Sequence, residues 1–217
     1  MANDDQPERI WDEYDWERFL QQQDQKTERY MELLEKHMDD PERDQIIARE
    51  MGWHHLLDED EIEDIDSRFS EEMKALEDTS EDEPDFINDP ESFEMHPLYQ
   101  ASFALTVWID QLFDEIGDVQ NHPAAVKLAT QSAIASAKLA AALSDDDVDE
   151  LGMTIAYLKR ALKAITNAME AGAQLKKEIR LKPERYATLQ HRLFQIRDRI
   201  IALMGEFRSE WRRRYGA

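Results

Sequence analysis

The sequence predicts an all-α protein, an up-down-up-down four-helix bundle preceded by an acidic helical N-terminal extension. Three observations predict it. Apolar residues recur at spacings of three and four along most of the chain, the period of one helical face. Only 6 glycines and 7 prolines occur in 217 residues, too few to interrupt long helices often. The charge is also divided: residues 1–95 hold 34 acidic and 9 basic side chains, and 96–217 hold 15 and 17. The organisation expected is an acidic helical region at 1–76, an acidic linker at 77–94 and the bundle at 95–217.

The first element expected runs from Ile10 to Met38, where Ile10, Tyr14, Leu20, Tyr30, Leu33, Leu34 and Met38 form a loose apolar side. Asp40-Pro41-Glu42 has the order of an N-cap, a proline at the first helical position and an acid near the positive end of the dipole. That short helix should end near Gly52. Ile62, Ile65, Phe69, Met73 and Leu76 share one stripe of a further helix. Between Glu77 and Glu94 acids, Ser, Thr, Pro84 and Pro90 replace the apolar period, which marks the linker.

The bundle helices are more regular. His96-Pro97 opens one that carries Leu98, Phe103, Leu105, Val107, Trp108, Ile109, Leu112, Phe113 and Ile116 and stops at Gly117. Asn121-His122-Pro123 opens a second, rich in alanine on every side up to Leu143, and so expected in the middle of the bundle. Ser144 with Asp145, Asp146 and Asp147 has the character of an N-terminus for a third, whose stripe is Val148, Leu151, Ile155, Leu158, Leu162, Ile165 and Met169. Pro183 opens the fourth, with Leu189, Leu193, Ile196, Ile200 and Leu203 inside and Arg208, Arg212, Arg213 and Arg214 in its last turns.

Composition excludes several classes. With no cysteine, disulfides and thiolate metal sites are impossible. The polar, acidic start carries no leader pattern. The longest apolar-rich stretch, Ala133–Leu143, is broken by Ser136 and Lys138 and is too short for a bilayer. A cytoplasmic protein without a membrane partner is expected. A formal net charge of -23 repels nucleic acid and attracts basic surfaces.

The second half resembles the S23-type four-helix bundle family, which includes accessory proteins of diversity-generating retroelements. The opening Pro97-Leu98-Tyr99-Gln100-Ala101, the Ala/Ser-rich second helix and the long third and fourth helices carry the resemblance, over residues 95–207. The resemblance implies a non-enzymatic bundle that self-associates, often as a ring, and binds a larger partner. The family's Asn-Ile-Ala-Glu-Gly-like end to the second helix is replaced by Lys138-Leu139-Ala140-Ala141-Ala142, so no functional residue is carried over.

The expected role is a scaffold or adaptor whose acidic N-terminal half binds a protein partner with a basic or apolar surface, and a homo-oligomer, as the resemblance implies. Trp11, Tyr14, Trp16 and Phe19, with Trp53, are the expected partner-binding anchors, because aromatic residues dominate interfaces and this polar region offers them little cover. No cofactor is expected, since the Glu-x-x-His pairs of di-metal bundles are missing. Glu50, His54 and His55 form a minor alternative for metal, since side chains four apart share a helical face. The enzyme alternative is a HEPN-like ribonuclease, in which His191 would move the ribose proton and Arg185 would stabilise the phosphorane. A third alternative is an acidic nucleic-acid mimic. Direct nucleic-acid contact is expected only through Arg208, Arg212, Arg213 and Arg214, which are equally suited to pair with the chain's own acids.

Overall fold

The computed structural model describes residues 10–53, 93–117, 119, 121–144, 150–179 and 181–216. Among them every regular element is helical, with no strand. There are six α-helices: α1 (Glu13–Lys36), α2 (Arg43–Met51), α3 (Pro97–Ile116), α4 (Pro123–Leu143), α5 (Leu151–Ile179) and α6 (Pro183–Tyr215). One 3-10 turn, Phe93–Met95, precedes α3. None of these helices is long and apolar enough to cross a membrane. The helix expected at 62–76, the linker up to residue 92 and the 145–147 acids lie outside the described residues, and the linker's last two residues, Phe93 and Glu94, belong to the 3-10 turn.

The chain divides into two compact units, one of Met1–Glu17 with Pro90–Ala217 and the other of Arg18–Asp89. The boundary between them falls after Glu17, within α1. In the first unit α3 packs on α4 and α6, α4 on α5, and α5 on α6. Leu105, Ile109, Leu128, Leu139, Leu158, Ile165, Leu189, Leu193 and Ile200 are completely buried there, each worth roughly 1.5–3 kcal/mol. The α4–α5 contact is the most intimate because its surfaces are small: Ala125, Ala135 and Ala142 on α4, and Ala161, Ala164, Ala168 and Ala171 on α5. Small side chains let two helix axes approach.

Helix α4 is not enclosed on every side, since Val126, Ala133, Ile134 and Ala137 remain exposed. Its buried face carries two hydroxyls, Ser132 and Ser136, and meets a third from α3. Ser102 Oγ of α3 lies 2.8 Å from Ser136 Oγ, which donates to Ser132 O at 3.3 Å when it is not donating to Ser102. Ser132 Oγ is buried and has no hydrogen-bond partner among the described residues.

The helix ends have local causes. His96 and His122 are side-chain N-caps: each Nδ1 accepts from the backbone N–H two residues on, Leu98 and Ala124, both at 3.2 Å. Each is followed by proline at the first helical position, where the missing N–H costs nothing. His122 Nε2 lies 3.1 Å from Glu178 near the end of α5. Ser144 closes α4, with both its N–H and its Oγ donating to Ala140 O, rather than opening the next helix. Gly117 ends α3 at φ 82°, a backbone that favours glycine.

In the second unit α2 begins at Arg43, after Asp40 Oδ1 accepts from the Glu42 N–H at 2.9 Å. It ends at Gly52, whose φ of 75° forms a left-handed cap. Arg29 of α1 donates to Glu50 O at 2.8 Å, which ties α1 to the end of α2.

Candidate functional site

Two places in the first unit combine shape with unspent chemistry. The first is built where the N-terminal segment meets α5 and α6. Asp12 is the N-cap of α1: its Oδ1 accepts from Tyr14 N at 2.8 Å and Asp15 N at 2.9 Å. Glu13, the next residue, receives Arg208 in a fork (Nη2–Oε2 2.8 Å, Nε–Oε1 3.2 Å) and lies 3.8 Å from Lys159 Nζ. One turn on, Glu17 accepts from Arg160 at 3.1 and 3.3 Å. Lys159 also sits 4.6 Å above the Tyr14 ring.

Trp11 and Trp16 meet edge to face, with centroids 4.9 Å apart. They rest on Gly152 of α5, where a Cβ would lie 2.9 Å from Trp16 Cδ1 and 3.0 Å from the Asp12 carbonyl carbon, and would collide with the Trp11 carbonyl oxygen. The segment is thus held by ion pairs above and by a missing side chain below. Beside it lies a cleft of ≈ 260 Å³, walled by Asp12, Glu13, Tyr14 and Ile155 on one hand and by Arg208, Trp211 and Arg212 on the other.

The second place is a groove of ≈ 370 Å³ between α3 and α4, with Phe113, Ala125 and Ala129 among its lining. Asp110 and Asp114 line its α3 rim, and Val126 and Thr130 its α4 rim. The α3 stripe that carries these acids continues through Val107 (41% exposed) and Phe103 (54%), while Val126 is 49% exposed. Ala133 and Ala137 extend the α4 stripe, also exposed.

The sequence-derived candidates fall as follows. Trp11, Tyr14 and Trp16 are gathered at the first place, against helices of the same unit. Phe19 is exposed on α1 in the other unit. Trp53 stands 5.8 Å from Tyr30 and lines a groove of ≈ 540 Å³ with Gln23, Lys26 and Thr27. Glu50 pairs with Arg29 at 3.7 Å, and His54 and His55 lie outside the described residues. Among the described residues no group of three or more metal-ligating side chains occurs.

Arg185 is engaged by Glu115 of α3 at 2.7 Å, while His191 is exposed. Six residues apart on one continuous helix, they are turned about 120° from each other and separated by about 9 Å along the axis. Of the terminal cations, Arg208 pairs with Glu13, and Arg213 and Arg214 both pair with Glu210. Hydrogen bonds from those two guanidiniums hold the Glu210 carboxyl down at about 2. Arg212 differs: its described hydrogen bond is Nε to Arg208 O at 3.2 Å, and it has no carboxylate partner among the described residues.

Sequence reasoning missed the α3–α4 groove and the part that Ile155 and Trp211 play in the cleft. A signal for the groove was present, because Phe103, Val107, Asp110 and Asp114 keep helical spacing on a face distinct from Leu98, Leu105, Ile109 and Leu112. Comparison with family models, with curated proteins and with solved structures finds no match for this chain.

Proposed function

We propose that this chain is a non-catalytic adaptor, built on an up-down-up-down four-helix bundle, that docks a basic amphipathic helix of a protein partner on its α3–α4 face. The cyclic pairing of the last four helices supports the bundle arrangement. One observation carries the docking reading: exposed apolar residues, Phe103 and Val107 on α3 and Val126, Ala133 and Ala137 on α4, accompany a groove whose rim bears Asp110, Asp114 and Thr130. An apolar stripe asks for an apolar stripe at helical spacing, and the two carboxylates ask for Lys or Arg on its flank. Trp11 and Tyr14 also remain 42% and 63% exposed, but the acids beside them, Glu13 and Glu17, are already paired with Arg208 and Arg160, so a basic partner finds less there. Arg185, already neutralised by Glu115 and turned away from His191, favours a non-catalytic role.

The test is fluorescence anisotropy with two labelled helical peptides of identical leucine stripe, one flanked by lysine and one by glutamate. The lysine peptide should bind the wild-type protein and the glutamate peptide should not. The double variant V107E/V126E separates docking from the general pull of an acidic protein. Docking requires at least a tenfold weaker affinity in that variant. Equal or tighter binding of the lysine peptide by V107E/V126E refutes the proposal, because added negative charge would then be sufficient.

A further inference from the structure

We infer that the cleft between the N-terminal segment and the end of α6 is a binding site for a small carboxylate with an apolar body. The inference is independent of the α3–α4 face. Its first support is charge accounting. The two acids in the wall are already engaged, Asp12 as the cap of α1 and Glu13 by Arg208 and Lys159. Arg212 brings a cation without a carboxylate partner to the same wall. An anion entering the cleft therefore meets one guanidinium that has no carboxylate partner among the described residues, its Nε bonded to Arg208 O. Glu13 there is ion-paired, and Asp12 is hydrogen-bonded to the helix end. A guanidinium offers a fork of donors that matches a carboxylate.

The second support is the indole of Trp211. It lines the cleft, and its Nε1–H is buried without an acceptor among the described residues, a condition that buried donors rarely keep. A ligand oxygen brought alongside by a small rotation of the ring would relieve it. The remaining wall is Ile155 and the ring of Tyr14, so the body of the ligand should be apolar or aromatic. A volume of ≈ 260 Å³ lies just under the usual range for small-molecule sites, which limits the occupant to about one aromatic amino acid in size. Two sources of this chemistry fit, a free carboxylic acid and the carboxyl end of a polypeptide.

The experiment uses the full-length protein with ¹⁵N-labelled indoles, and W211F identifies the Trp211 resonance. N-acetyl-phenylalanine and its amide are titrated separately, followed by the tetrapeptide Ala-Ala-Ala-Phe with a free carboxyl end. Saturable movement of the Trp211 Nε1–H signal with the acid, and none with the amide, is the expected result. R212Q should weaken the acid roughly tenfold, as loss of a charge-assisted hydrogen bond would. The neighbouring R213Q, whose arginine is already paired with Glu210, should leave it unchanged. Tighter binding of N-acetyl-phenylalanine than of the peptide assigns the free acid as the source, and the reverse assigns a polypeptide end. No saturable movement with either carboxylate, equal response to acid and amide, or equal affinity in R212Q overturns the inference.

Discussion

Gly152→Ala probes the seat of the N-terminal segment with a single methyl group. An alanine in a helix is favoured over glycine by up to about 1 kcal/mol, so on an open helix the change stabilises. Gly205 of α6 is such a place, with nothing within 4 Å of an added Cβ. At Gly152 the new carbon would press on Trp16 Cδ1 at 2.9 Å and on backbone at Asp12 and Trp11. Backbone cannot turn aside as a side-chain tip can, and overpacking of this kind costs roughly 1–3 kcal/mol. The propensity gain is shared by the seated and the open states, so residues 11–17 are less firmly seated by about 1–3 kcal/mol, roughly five- to 150-fold in an opening equilibrium. Amide exchange reads this directly, because the Trp16 N–H is held by Asp12 O and the Tyr14 N–H by Asp12 Oδ1. Faster exchange at these amides in G152A is the expected outcome. G205A should leave them unchanged and raise the melting temperature by about 2–4 °C. If G152A gains the same few degrees as G205A, with unaltered exchange at Tyr14 and Trp16, then the segment does not rest on Gly152 and the reasoning fails.

The buried hydroxyls give a second prediction. Ser136→Ala should cost about 1–3 kcal/mol by orphaning Ser102 Oγ, and S102A/S136A should cost less than the two single changes together, measured by urea unfolding; additivity would contradict it. Ser132→Ala removes a buried hydroxyl without a partner among the described residues and should raise stability by about 1 kcal/mol or more; a loss would mean that Ser132 has an acceptor in solution. The His96 cap makes stability depend on pH. Burial lowers the His96 pKa below 6.5, so between that value and the folded one the unfolded chain binds more protons. Stability must therefore rise with pH through this window and fall as His96 is protonated, since a protonated Nδ1 cannot accept from Leu98. Unfolding of the wild type and of His96→Asn, compared from about pH 5 to pH 7.5, should show a difference that grows in favour of the wild type as pH rises; a flat difference would remove His96 as the source.

Much of the fold was legible because its strongest signals are local. Proline at 97, 123 and 183 and glycine at 52 and 117 mark helix ends by backbone geometry alone, and the stripes from Leu98 to Phe113 and from Leu189 to Ile200 follow the helical period. Ser144 misled for an instructive reason. A serine before three aspartates satisfies the chemistry of an N-cap, yet the same short hydroxyl can bond back to the carbonyl four residues earlier, which it does with Ala140. The histidine caps were hidden because imidazole is read first as a ligand or a base. Accepting from the second N–H of a helix needs only a neutral Nδ1, and the following proline fixes the backbone that brings it there.

The candidate sites were less legible, and the cause is sequence distance. Glu13 and Arg208 are 195 residues apart and Glu17 and Arg160 are 143 apart, so no local pattern joins them. The aromatic cluster at Trp11, Tyr14 and Trp16 looked surplus to its own helix, as it is. Its cover is the glycine at 152, which in the sequence is only a weak helical position between Leu151 and Met153. The same holds for Arg212. Among four arginines in the last turns of α6 it has no distinguishing feature in the sequence. It becomes distinct only when Glu13 is committed to Arg208 and Glu210 to Arg213 and Arg214. A charge becomes available for binding by subtraction, after the fold has assigned partners to its neighbours, and subtraction over long distances is what a linear reading cannot perform. That is why exchanging Arg212 should weaken a carboxylate in the cleft while exchanging Arg213, adjacent and alike in sequence, should leave it unchanged.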